Sequence, residues 1–79
     1  HKINIYPNPT SGKINIQMDD IQSDKLGIKL SNISGQVVLR QTRDFATNFA
    51  LDINGGAGIY FLEIRTDNDK KFIQRIVKK

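Results

Sequence analysis

Apolar and polar residues alternate with a period of two along most of this chain. Ile3 and Ile5 interleave with Lys2 and Asn4, and Ile14, Ile16 and Met18 interleave with Lys13, Asn15 and Gln17. Leu26, Ile28 and Leu30 alternate with Gly27, Lys29 and Ser31, and Phe49, Leu51 and Ile53 with Ala50 and Asp52. A strand points successive side chains to opposite faces, so each stretch predicts a strand with one buried face. Gln36–Arg40 adds another, favoured by the β-branched pair Val37 and Val38. In Ile59–Arg65, Tyr60, Leu62 and Ile64 share one face while Ile59 and Phe61 share the other, which predicts a central strand. Phe72–Lys78 predicts the last strand.

The segments between these stretches carry turn chemistry. Pro7 and Pro9 forbid a continuing ladder and hold Tyr6 and Asn8 extended, and Ser11-Gly12 supplies a turn. Asp19–Lys25 reads as a polar connection and Thr42–Thr47 as a loop. Gly35 in Ser31–Gly35 is free to take positive φ, and Asp67-Asn68-Asp69 reads as a hairpin turn. Asn54–Gly58 is too rich in glycine for regular structure. Seven short strands, regularly spaced turns and no helical period predict an all-β fold, an antiparallel β-sandwich, with a small barrel as the alternative.

The length of 79 residues limits the chain to one domain, 1–79. A core of this size contributes a net stability of about 3–5 kcal/mol. The absence of an initiator Met before His1, with strand-like sequence beginning almost at once, suggests a fragment of a longer protein cut close to a domain boundary. With no cysteine, disulfides, thiolate metal sites and a cysteine nucleophile are excluded. The longest apolar run, Gly55–Leu62, is far short of the ~20 residues that span a bilayer as a helix, so no direct membrane insertion is expected.

The net charge of +4 changes the picture because of where it sits. Residues 1–64 are balanced, with six basic and six acidic groups. The excess comes from Arg65, Lys70, Lys71, Arg75, Lys78 and Lys79 against Asp67 and Asp69. A basic terminal strand suits an acidic protein surface, anionic lipid or nucleic acid, or simply a solvated edge that resists aggregation. Nucleic acid is not expected, because basic residues interleaved with exposed aromatics are lacking and Phe72 reads as core.

Catalytic constellations are also lacking. The single histidine is His1, so no activated Ser or Cys nucleophile is expected. Carboxylates are present, but a sandwich this small offers little cleft for glycoside chemistry. Asp19, Asp20 and Asp24, and Asp67 with Asp69, do not follow the twelve-residue calcium loop, and Asp is a common turn residue. Asn32-Ile33-Ser34 matches the glycosylation acceptor pattern but also reads as a turn before Gly35. No enzyme activity, cofactor or metal is expected, which leaves a non-catalytic β-module.

Several motifs occur together in order: Tyr6-Pro7-Asn8-Pro9, then Leu30–Val38, then Leu51 and Gly58–Ile64, and finally Lys71–Lys79. In this combination the chain, from Ile3 to Lys79, resembles the type A C-terminal sorting domain of the type IX secretion system of Bacteroidetes. The resemblance implies that residues 1–79 are an immunoglobulin-like sandwich excised from the end of a larger exported protein. It implies a covalently attached N-terminal cargo, Sec-dependent passage through the periplasm and transfer across the outer-membrane translocon. It also implies partners in a shuttle and a sortase-like cysteine peptidase, and cleavage ahead of His1 with cargo anchored at the cell surface or released. Pro7, Asn8 and Pro9 match the family's opening motif, Gly58 and Tyr60 its Gly-x-Tyr motif, and Lys71 and Arg75 its terminal basic motif. Lys78 and Lys79 extend that basic end. Pro7–Pro9 is read as a fold-defining turn, Gly58 as a turn and Tyr60 as core. Lys71–Lys79, including Phe72, is read as the strand that receptors contact. The alternative is a surface adhesion or carbohydrate-binding sandwich, which calls for exposed aromatics gathered on one face.

Overall fold

The computed structural model describes residues 2–79, which form seven strands. These are β1 (Lys2–Tyr6), β2 (Lys13–Asp19), β3 (Lys25–Asn32), β4 (Val37–Asp44), β5 (Asn48–Asp52), β6 (Gly58–Thr66) and β7 (Lys71–Lys78). They make two antiparallel sheets, β1-β2-β5 and β4-β3-β6-β7, packed as a sandwich. The two sheets remain separate, so the barrel alternative is discarded.

The period-two pattern determines what lies between the sheets. Ile14, Ile16 and Met18 on β2 face Leu26, Ile28 and Leu30 on β3 and Leu62 and Ile64 on β6, and all are buried. Ile76 is the one fully buried residue that β7 contributes. Burying an aliphatic side chain of this size contributes about 1.5–3 kcal/mol, which makes these positions the main source of stability.

One expectation is corrected. Residues 42–44 belong to β4 and not to a loop, because an edge strand facing solvent can continue its ladder with polar side chains. Lys25 pairs with Asp44 and Leu26 with Arg43, and the Lys25 and Asp44 side chains form an ion pair. Arg43 turns inward, its guanidinium 4.2 Å from the centre of the Phe49 ring. That stack closes the side seam of the sandwich between β4 and β5. The expectation of a central strand at β6 is met, since β6 lies between β3 and β7, although the other sheet covers only one of its faces. Phe61, on the outer face, remains 39% exposed.

The turns follow from local hydrogen bonding. Asn32 Oδ1 accepts the backbone N–H groups of Ser34 and Gln36, both at 3.0 Å, so its amide is built into the β3–β4 turn. At the same end as the β6–β7 turn, Asp67 Oδ2 accepts the N–H of Asp24 at 2.7 Å and of Lys25 at 3.3 Å. The Asp24 amide is the larger influence holding the Asp67 carboxyl below the usual carboxylate range, with the Lys25 amide adding to it. The aspartates read from sequence as turn residues therefore tie the β2–β3 connection to the β6–β7 turn.

Candidate functional site

Three of the motifs singled out in the sequence converge on the opposite end of the sandwich. The chain leaves β1 at Tyr6, crosses to the outer edge of β7 and returns to β2. On the way Asn8 Nδ2 donates to the carbonyl of Arg75 at 2.8 Å, and Asn8 Oδ1 accepts the N–H of Val77 at 2.9 Å. Thr10 continues the pairing as a parallel bridge opposite Lys78. Its N–H donates to the Val77 carbonyl and its carbonyl accepts the Lys79 N–H, each at 2.8 Å. Pro7 and Pro9, both preceded by cis peptide bonds, flank Asn8 and are exposed. Having no N–H, neither proline brings a donor needing a partner to this crossing.

The crossing is fastened to the body through Thr10. Its hydroxyl donates to the Lys13 carbonyl at 2.6 Å and accepts the Gly12 N–H at 3.0 Å, and the side chain is buried. The Gly12 carbonyl then accepts the N–H of Ile53, just beyond β5, at 2.6 Å. No hydropathy signal in the sequence distinguishes Thr10 from an ordinary loop threonine.

The glycine-rich segment 54–58 is held from two sides. Lys78 Nζ donates to the carbonyls of Ile53 at 2.9 Å and Gly55 at 2.6 Å. Tyr60 is buried against the core and its hydroxyl donates to the Gly56 carbonyl at 2.7 Å. A tyrosine near the start of the sixth strand that bonds back a few residues upstream is the tyrosine corner of immunoglobulin-like sandwiches. Two glycines follow from this geometry. Gly58 has φ +151, a backbone that side-chain-bearing residues rarely adopt. A β-carbon on Gly55, at φ +140, would lie 2.8 Å from the tyrosine oxygen.

The expectations for the last strand therefore divide. Lys78 is engaged within the fold and is not a free recognition cation. The C-terminal half of the outer β7 edge is covered by Asn8–Thr10, so the strand does not present a fully open ladder. Lys71 and Arg75 carry exposed side chains on the outer face, and Lys79 is exposed past the strand end. Phe72 is half-buried, packed against the core. Lys71 pairs with Arg65, and Lys78 with Gly58, at opposite ends of β7, about 23 Å apart at ~3.3 Å per residue.

Exposed Lys71 and Arg75 flank exposed Ile73 on one strand, while the nearby polar groups of the crossing are occupied with one another. Curated proteins include no match to this chain. The family model described as the secretion system C-terminal sorting domain matches residues 4–79. That span takes in the crossing, the tyrosine corner and the whole of β7, and the chain belongs to the type IX secretion C-terminal sorting domain family.

Proposed function

We propose that this chain is the address label of an exported protein, recognised as a folded unit and read chiefly along β7. The family's role as a C-terminal sorting signal of type IX secretion carries the reading, and the family is one of non-catalytic signal domains. In the proposed sequence of events a Sec signal brings the parent to the periplasm. The outer-membrane translocon then passes the cargo, and a sortase-like peptidase removes residues 1–79 at the surface. Lys71 and Arg75 steer the domain to an acidic face of the machinery, since exposed charges chiefly raise the rate of encounter. Pro7, Asn8, Pro9, Gly58, Tyr60 and Lys78 act indirectly, by holding β7 in place. The sugar-binding alternative loses ground because the exposed aromatics Tyr6 and Phe61 lie on different sheets, β1 and β6.

The test is a fluorescent reporter carrying a Sec signal and this domain, expressed in a bacterium with the type IX machine. Reporter at the surface or in the medium is expected with residues 1–79. Retention in the periplasm is expected when residues 72–79 are removed. Circular dichroism of the purified truncated domain separates lost recognition from lost fold. Retention of the intact fusion would overturn the proposal.

A further inference from the structure

The two side seams of the sandwich differ. Between β4 and β5 the gap is stoppered by Arg43 stacked on Phe49. Between β1 and β7 the described residues leave a groove of about 350 Å³, with Ile3, Ile5, Leu62, Ile64 and Phe72 along its floor and Lys71, Ile73 and Gln74 on the β7 side. Gln74 shares the inward parity of Phe72 and buried Ile76, yet it is exposed, as expected where the opposite sheet does not close over β7.

The groove runs beneath a stretch of unpaired backbone. Asn8 and Thr10 bond to the carbonyl of Arg75 and to both backbone groups of Val77, so odd-numbered residues of β7 direct their N–H and C=O outward. The β6–β7 register has no shift, so the period of two carries this direction back to Ile73 and Lys71. Among the described residues nothing pairs with those outward groups of Ile73. Its side chain is 60% exposed, an unusual choice for a strand edge that proteins ordinarily blunt with charge. The β4 edge is blunted by Arg40, Gln41, Thr42 and Asp44 over most of its length, with the exposed apolar pair Val37 and Val38 confined to its start beside the β3–β4 turn.

We infer that the Lys71–Arg75 edge is a strand-addition site for an extended partner segment that alternates apolar and polar residues and carries acidic ones. Pairing with β7 directs one set of partner side chains into the β1–β7 groove and the other set alongside Ile73. Acidic character follows from charge complementarity. The segment 65–79 holds the whole +4 excess, and Lys71 and Arg75 bracket Ile73 on the face the partner would share. The added strand is limited to about five residues, because Asn8 occupies the edge beyond Arg75.

This inference rests on the sorting reading and concerns how the label is held. Its test uses the same reporter fusion with Ile73→Pro and Ile73→Thr. Proline removes the outward N–H without touching the β6–β7 ladder, and threonine keeps both the N–H and the β-branch. Export is expected to fall at least tenfold with Ile73→Pro and to stay within about threefold of wild type with Ile73→Thr, both domains giving wild-type circular dichroism. Should the proline variant not fold, Ile73→Glu, which sets a carboxylate against an acidic segment, is expected to show the same loss. Wild-type export by folded Ile73→Pro, or by Ile73→Glu where proline does not fold, overturns strand addition and leaves the sorting reading standing. Failure of the unmodified fusion to export overturns both.

Discussion

Asn8 and Val77, separated by 69 positions in sequence, are joined by a hydrogen bond of 2.9 Å from the Val77 N–H to the Asn8 side-chain oxygen. The same amide reaches the Arg75 carbonyl with its nitrogen. One side chain thus substitutes for a strand, satisfying both a donor and an acceptor on the outer edge of β7. Asn8→Ala is expected to cost about 1–2 kcal/mol, the net worth of two hydrogen bonds. The check is a fall in the urea midpoint with an unchanged slope.

The tyrosine corner makes a second prediction. Tyr60→Phe removes the hydroxyl that bonds the Gly56 carbonyl, and should cost about 1 kcal/mol. Gly55→Ala should cost more, about 1–3 kcal/mol, because it combines a strained backbone with a β-carbon 2.8 Å from the tyrosine oxygen. Combining Gly55→Ala with Tyr60→Phe should recover part of that cost, since the oxygen it meets is gone. Thermal melts of the single variants and the double variant give the coupling directly.

The core sets the limit on what the domain tolerates. Leu26 is fully buried on β3. Leu26→Ala should cost about 2–5 kcal/mol, comparable with the ~3–5 kcal/mol a core of this size supplies. The variant is therefore expected to be largely unfolded at 37 °C, seen as loss of strand signal in circular dichroism.

The strands and the core were legible because a single buried face imposes a period of two that side chains such as Ile14, Ile16 and Met18 display openly. The end of β4 was not, because Thr42–Asp44 sit on an edge where polar residues continue the ladder without any hydropathy signal. The crossing was half legible. Pro7 and Pro9 announce a break, but nothing local says that Asn8 and Thr10 bond to residues 75–79, since that contact is created by topology. Lys78 misled for the same reason. A terminal lysine reads as a solvent-facing charge until the fold brings the Ile53 and Gly55 carbonyls to it.

Acid sensitivity should trace to the turn end of the molecule. The Asp67 carboxyl is held below its ordinary value, chiefly by the Asp24 amide, so the unfolded chain binds that proton more tightly than the folded one. Its contribution is full above the unfolded value of about 3.9 and is lost as pH falls through the lower folded value. Asp67→Asn should be less stable than wild type at pH 7, with the gap closing in strong acid. Lys25, raised by its bond to Asp44, behaves in mirror image. Its contribution is present below about pH 10.4 and is lost as pH climbs through the folded value. Urea midpoints across pH 2–12 for the two variants Asp67→Asn and Asp44→Asn check both signs.

The central claim is that a folded domain is read at the exposed part of β7. The most direct measurement is export of the reporter fusion bearing Lys71→Glu and Arg75→Glu together. Both side chains are exposed and make no contact on which the core depends, so the melting temperature should stay within a few degrees of wild type. Export should fall at least tenfold. Export at the wild-type level by a folded double variant would contradict the claim and move recognition away from the last strand.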